Sequence, residues 1–370
     1  MHRAQRGRRF PRKLRLRSGR AWQRTLVAVL SAPRPREYPQ EEEEHKNGDH
    51  YHDDNPAEAT DAELNSSEKS HPIDGGIRAA VLNTFAGALG ETILPACPIL
   101  RPVRPAEVER TLRKLDIRPS KRMGQHFLLD EDVAARQVVL ASPLESETAL
   151  EIGPGLGILT APLVESFGEV VAVEKDMKLC SYLRERFPAL GLIEGDALQA
   201  ELPAFDKVVS NLPYEISSPI TFRLLDLGFE KAVLMYQKEF AERLVAREGQ
   251  SGYSRLSVVV AYRAAARVAD IVPKEKFFPA PKVDSMVVEI TPRVPPFRVD
   301  DEKRFLALVD VLFGHRRKKM GNSILLHWRR FFDSEEEANA SVKGAEWYDE
   351  RVEHLSPAQI AGISNELTKD

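Results

Sequence analysis

From about residue 106 the hydrophobic pattern switches between a period near 3.6 and short continuous apolar runs. Helical spacing governs AEVERTLRKLDI (106–117), DEDVAARQVVLA (130–141), ILTAPLVESF (158–167), DMKLCSYLRERF (176–187), SPITFRLLDLG (218–228) and KEFAERLVAR (238–247). Asp130 and Asp176 stand where a side chain caps the first helical turn. Pro219 falls in a first turn, where its missing N–H is tolerated. Apolar runs predict strands at TALEI (148–152), EVVAVE (169–174), GLIEGDAL (191–198, with its loop), FDKVVSN (205–211), KAVLMYQ (231–237), RLSVVVAYRA (255–264) and SMVVEITPR (285–293). Strands alternating with helices predict a parallel sheet covered on both faces. Two late strands with no long helix between them predict an antiparallel edge. From about 300 the pattern is helical, which predicts a separate small lobe. The expected architecture is therefore α/β and Rossmann-like, with a body at 99–295 and a C-terminal helical domain at 296–370.

The first 98 residues do not share this pattern. Residues 1–36 carry many Arg and Lys and no acid, and residues 37–63 are mostly acidic, so the net charge of −3 conceals an uneven distribution. EEEEHKNGDHYHDDNPAEATDAELNSSEKSHPIDGG has too little apolar surface to form a core and reads as a disordered extension. His45, His50 and His52 lie among acids there and read as part of a solvated acidic tail. Residues 77–98 are more apolar and suggest a helix. TLVAVLSA after the basic start is compatible with a signal or transit peptide, but Pro33, Pro35 and the acid run follow it. No apolar run reaches the ~20 residues of a membrane-spanning helix. Two cysteines, Cys97 and Cys180, give no metal-ligand spacing and suit a reducing compartment.

The first strand ends in EIGPGLG. In an open parallel sheet, ligands bind outside the carboxyl ends of the strands. Gly153, Gly155 and Gly157 allow the backbone close to a ligand, and the following helix directs its N-terminus there. Glu174 ends the second strand, where an acid takes ribose hydroxyls. The spacing is GxGxG without a following GK[ST], which favours a nucleoside without phosphates. S-adenosylmethionine is the first such ligand, Asp196 then meeting its adenine amine, and NAD is the rival. A tight strand–helix turn with a surface acid would leave the same trace.

The fourth strand runs into Asn211, Leu212, Pro213 and Tyr214. Pro213 stops the strand, because it cannot donate to a ladder. An amide oxygen at Asn211 and a backbone carbonyl in the turn are both acceptors. Together they bind the two N–H groups of an exocyclic amine and free its lone pair for attack. Tyr214 offers a face on which a flipped base stacks. A Pro-terminated strand with a capping Asn is the plain alternative.

With these residues placed, residues from about 106 to 330 resemble the small-subunit ribosomal RNA adenine N6-dimethyltransferases, in their archaeal-looking form. The resemblance rests on SKRMGQHFLLD (120–130), EIGPGLGILT (151–160), VAVEKD (171–176), EGDAL (194–198), SNLPYEISSPI (210–220) and FFPAPKVDS (277–285). It implies a methyltransferase sheet dependent on S-adenosyl-L-methionine, with no metal. The reaction it implies is dimethylation of two adjacent adenines in the 3′-terminal hairpin of small-subunit rRNA. The implied setting is a cytoplasmic monomer acting on a small-subunit precursor, away from membranes. By the same resemblance His126, Leu128, Gly153, Gly155, Glu174, Asp196 and Asn211 line the donor site, and Phe277 stacks on the target base opposite Tyr214. His126 stands where bacterial members carry Asn, so its backbone is the expected contact. Phe278 is adjacent to Phe277 and competes with it for that role.

GHRRKKMGNSI (314–324) supplies Arg316, Arg317, Lys318 and Lys319 as expected RNA contacts on a helix, with the Ser120-Lys121-Arg122 segment a second candidate. A solvated helix face is the plain reading of the same cluster. The remaining functional alternatives are large-subunit rRNA adenine methylation and a non-catalytic assembly or transcription-associated factor on the same fold.

Overall fold

The apolar runs assemble into a seven-stranded sheet. The structure, a computed structural model, describes residues 104–119 and 124–367. The expectations for residues 1–98 and for 120–122 lie outside the described residues.

The chain begins with α1 (Pro105–Lys114), β1 (Phe127–Leu128), α2 (Glu131–Ala141), β2 (Thr148–Ile152), α3 (Thr160–Ser166), β3 (Glu169–Glu174), α4 (Met177–Arg186) and β4 (Gly191–Glu194). It continues through β5 (Lys207–Asn211), α5 (Ser217–Leu227), β6 (Lys231–Gln237), α6 (Lys238–Val245), α7 (Arg255–Arg263), β7 (Ala264–Val272), β8 (Phe277–Phe278) and β9 (Ser285–Pro292). The last four helices are α8 (Glu302–Gly314), α9 (Met320–Leu326), α10 (Glu335–Val342) and α11 (Pro357–Glu366). Asp130 accepts from Val133 N, and Asp176 from Lys178 N and Leu179 N, so both acids cap the helices expected of them.

The strand order is β4-β3-β2-β5-β6-β9-β7. The first five run parallel, and β9 and β7 complete the sheet antiparallel. From β2 the chain proceeds outward through β3 to β4, and then returns to the other side of β2 as β5. That reversal opens a crevice at the carboxyl ends of β2 and β5. Leu150, Val208 and Leu234 pack on one face of the sheet, and Ala149, Val209 and Val233 on the other. At the opposite end of the strands, Lys207 Nζ donates to Ser142 O at 2.7 Å and pairs with buried Glu147 at 2.8 Å. Lys231 Nζ donates to Leu140 O at 3.0 Å. These lysines satisfy carbonyls at the C-terminus of α2, on the side of the sheet away from the crevice.

One predicted strand is a helix. Residues 255–263 form α7, and the edge strand is β7, which follows it. A short apolar run does not distinguish a buried strand from a buried helix. Here Leu256 and Val260 face the sheet core, while Val258 and Tyr262 face the C-terminal helices, so α7 is apolar on two sides. Ser254 and Ser257 form a capping box at its start.

The C-terminal helices enclose their own cluster, including Phe305, Leu308, Met320, Ile324 and Ile360. Arg263 at the end of α7 joins them to the sheet body by pairing with Asp226 of α5 and with Glu302 of α8.

Candidate active site

The crevice at the switch point holds a cavity of about 250 Å³. His126, Leu128, Gly153, Gly155, Glu174, Asp196, Asn211, Leu212, Pro213, Tyr214 and Phe277 all line it. Six separate segments converge there because β1, β2, β3, β4, β5 and β8 all end or begin at this edge.

The glycine turn follows β2 directly. Gly153 and Gly155 have φ of +69° and +57°, values that disfavour a side chain. A Cβ on Gly153 would lie 3.2 Å from Pro213 Cγ, so the glycine turn and the proline turn after β5 pack together. Gly157 differs from expectation. It does not line this cavity, and a Cβ there would sit 2.4 Å from the Phe187 ring. Its missing side chain serves packing against the end of α4.

Glu174 is 6% exposed. Its Oε1 accepts from Lys175 N and Asp176 N, each at 2.9 Å, and its Oε2 from Gly155 N at 3.2 Å. Burial pushes its carboxyl above the usual range, and the three backbone N–H groups oppose that shift. Asp196 accepts from Leu198 N at 2.9 Å and pairs with Lys175 Nζ at 2.9 Å, which together hold its carboxyl below the usual range.

Asn211 is the last residue of β5. Its Oδ1 is buried and has no hydrogen-bond partner among the described residues. Such an acceptor is costly to leave unmade and marks a place for a donor. Leu212 is buried below it, and a 3-10 turn over Tyr214–Ile216 follows, with Ile216 N donating to Pro213 O. The Tyr214 hydroxyl and Ser285 Oγ are 2.7 Å apart, which ties this turn to the start of β9.

A two-stranded ribbon closes the other side. Phe127 is opposite Phe278 and Leu128 opposite Phe277 in antiparallel β1 and β8. Phe277 is buried and reaches the cavity; Phe278 packs instead against the cluster of Val108, Leu112 and Leu179. Alternation along the strand sends the two rings to opposite sides. His126 precedes β1, with its Nδ1 2.6 Å from Pro279 O and its ring centroid 5.5 Å from that of Tyr214.

Glu151 was not singled out in the sequence, although it opens EIGPGLG. It lines the cavity, is 2% exposed and accepts from Thr160 Oγ1 at 2.7 Å. Burial, with Glu174 nearby, pushes its carboxyl up to about 8. Its signal was an acid inside an otherwise apolar strand.

The basic cluster lies in the turn between α8 and α9, not on a helix face. Arg316 pairs with Glu353 at 3.0 Å and donates to Ser251 O at 3.0 Å; Lys319 pairs with Asp349 at 2.7 Å. Arg317 and Lys318 are exposed and make no ion pair among the described residues. Tight turns spread consecutive side chains, and two of these four are used to fasten the turn. No group of His, Cys, Asp and Glu suited to a metal occurs among the described residues. No helix among them is long and apolar enough to cross a membrane.

Residues 118–369 match the ribosomal RNA adenine dimethylase family. The probable ribosomal RNA small subunit methyltransferase A of Thermococcus kodakarensis is 42% identical over 264 residues, 70% of this chain and 93% of that protein. The protein of the same name from Methanosarcina acetivorans is 44% identical over 265 residues, 70% of this chain and 97% of that one. Among solved structures, a dimethyladenosine transferase from Plasmodium falciparum superposes with a TM-score of 0.56 at 27% identity, covering 65% of this chain and 96% of that one. The 23S rRNA methyltransferase ErmE gives 0.51 at 28% identity, covering 66% and 100%.

Proposed function

The chain belongs to the ribosomal RNA adenine dimethylase family, and from that premise we propose the substrate and the roles of its site residues. It is an rRNA adenine N6-dimethyltransferase. Its methyl donor is S-adenosylmethionine, and its target is a pair of adjacent adenosines in the 3′-terminal hairpin of small-subunit rRNA. The names of the archaeal relatives, at 42% and 44% identity, support the small-subunit target. The likeness to ErmE supports large-subunit rRNA as the second reading.

The cavity suits a nucleoside donor. Two side-chain-free turn residues leave room for it, and an acid stands at the end of β3. When bound, the donor supplies an electrophilic methyl group on a sulfonium. Glu174 accepts from the ribose hydroxyls with the lone pairs its three N–H partners leave free. Asp196 accepts from the adenine amine. Leu128 and the backbone at His126, Gly153 and Gly155 complete the donor wall.

The single observation that carries the reading is the buried, unpartnered Oδ1 of Asn211 in the cavity wall. We assign it one N–H of the target amine. A backbone carbonyl of the Leu212–Pro213 turn takes the other, and the nitrogen lone pair is freed from its ring. Tyr214 and Phe277 hold the base, which must leave its stack to enter. Most of the acceleration comes from holding nitrogen near the methyl carbon in line with sulfur. A non-catalytic factor has no use for an amide kept unsatisfied at this position.

We assign donor binding and catalysis to residues 99–295 and rRNA binding to 296–370, with Arg317 and Lys318 as phosphate contacts. The partner is a small-subunit precursor in the cytoplasm, met by a monomer. Incubation with labelled S-adenosylmethionine and either immature small subunits or large-subunit RNA, followed by mapping of the label, tests the reading. Label at two adjacent adenines of the small-subunit hairpin is expected; label confined to large-subunit RNA contradicts it.

A further inference from the structure

His126 has a side-chain nitrogen that donor binding and amine polarisation leave unused. Its Nδ1 faces the Pro279 carbonyl oxygen at 2.6 Å. A carbonyl oxygen only accepts, so Nδ1 carries the proton and, in the neutral ring, Nε2 carries the lone pair. Nε2 makes no hydrogen bond among the described residues. The ring is tilted 30° to that of Tyr214, with the centroids 5.5 Å apart, and it lines the same cavity as Asn211. Its position is held from both ends, since β1 begins at the next residue and pairs with β8, which leads directly into Pro279. The result is an oriented acceptor beside the ring on which the target base stacks.

Building on the methyl-transfer reading, we propose that Nε2 of His126 accepts the proton that N6 sheds on methylation. In each transfer the N6–CH3 bond forms as the S–CH3 bond breaks. The pair from the broken bond stays on sulfur, which becomes a neutral thioether, and the positive charge passes to N6. The N6 proton then moves to Nε2, and its bonding pair returns to N6. The imidazolium releases the proton to solvent before the next turnover.

Other acceptors on the cavity wall are committed elsewhere. Glu174 is held by three backbone N–H groups, Asp196 by Leu198 N and Lys175, and Glu151 by the Thr160 hydroxyl. Lys175 is a donor, and the Tyr214 hydroxyl is paired with Ser285. Glu215, exposed at the mouth next to Tyr214, is the rival.

The two transfers depend on this acceptor unequally. In the first, both N–H groups of the amine have acceptors in the turn. In the second, a methyl group replaces one N–H, so polarisation is weaker and proton removal matters more. Loss of His126 therefore stalls the reaction at the monomethyl stage.

The test combines a reading on the unliganded protein with single-turnover kinetics. Nitrogen-15 NMR of the histidine ring is expected to show the proton on Nδ1; a proton on Nε2 instead overturns the proposal. His126→Ala and His126→Asn are expected to slow the second transfer at least 10-fold more than the first, so that monomethyladenine accumulates. General-base loss is of order 10²-fold. Added imidazole is expected to restore dimethylation in His126→Ala, and donor affinity by calorimetry to stay within about twofold of the parent. An unchanged monomethyl-to-dimethyl ratio, or a defect that saturating donor removes, overturns the role. So does a Glu215→Gln variant that reproduces the stall when His126→Ala does not. A parent protein that methylates neither RNA overturns the functional reading itself, whereas an active parent matched by His126→Ala overturns the proton acceptor alone.

Discussion

At the scale of single residues, the site contains two acids at strand ends that behave differently. Glu174 is anchored by backbone N–H groups from its own turn and from Gly155. Glu174→Ala removes both the proposed ribose acceptor and this anchor, and is expected to weaken S-adenosylmethionine binding by about 1–3 kcal/mol, the cost of unpairing charged hydrogen bonds. Calorimetry checks this, and unchanged affinity would remove Glu174 from the donor site. Glu151 is buried, with the Thr160 hydroxyl as its hydrogen-bond partner and Glu174 nearby, and its carboxyl rises from 4.5 to about 8. Between those values the folded protein keeps a proton that the unfolded chain has lost, so stability falls as pH rises through that window. Glu151→Gln keeps the acceptor for Thr160 and removes the titration. It is expected to raise the melting temperature clearly at pH 9 and little at pH 5; equal gains at both would show that Glu151 is ionised in the fold. Glu174 was legible in the sequence because a strand-end acid beside a glycine turn is a pattern. Glu151 was not, because its chemistry comes from burial, which a local pattern does not report.

At the scale of elements, the alternation of periods located the parallel strands and the helices between them. It failed where tertiary packing overrides local preference. The run from Leu256 to Tyr262 is rich in valine, yet it is a helix, because it lies between two cores and needs apolar side chains on both sides. The short ribbon of β1 and β8 was invisible, since each strand has two residues and their pairing joins positions about 150 apart. That ribbon brings Phe277 and His126 to the cavity, so the motifs named the residues without giving the geometry. The basic cluster was read as a helix face and is a turn. Of the four, only Arg317 and Lys318 make no ion pair among the described residues. Each RNA phosphate contact adds about 0.7 to the slope of log affinity against log salt, so Arg317→Gln with Lys318→Gln is expected to flatten the slope by about 1.4. A binding series across salt concentrations measures this. An unchanged slope would mean that this turn does not touch RNA.

At the scale of the whole molecule, the sheet order explains why the functional residues meet. The reversal between β2 and β5 leaves one edge where the glycine turn and the Asn-Leu-Pro-Tyr turn pack on each other. At the opposite end of the strands Lys207, paired with Glu147, and Lys231 fasten the C-terminus of α2 through the Ser142 and Leu140 carbonyls. The C-terminal helices share α7 with the body and are fastened to it through Arg263, so the exposed basic turn is carried on a fixed support. The central claim is that the unsatisfied amide oxygen of Asn211 holds the target amine for methyl transfer. Single-turnover methylation of immature small subunits by the parent and by Asn211→Ala, each saturated with S-adenosylmethionine and with the label mapped, tests it most directly. Dimethylation of two adjacent adenines is expected from the parent, and from Asn211→Ala no transfer, with donor binding weakened but measurable. Transfer by Asn211→Ala at the parent rate would contradict it.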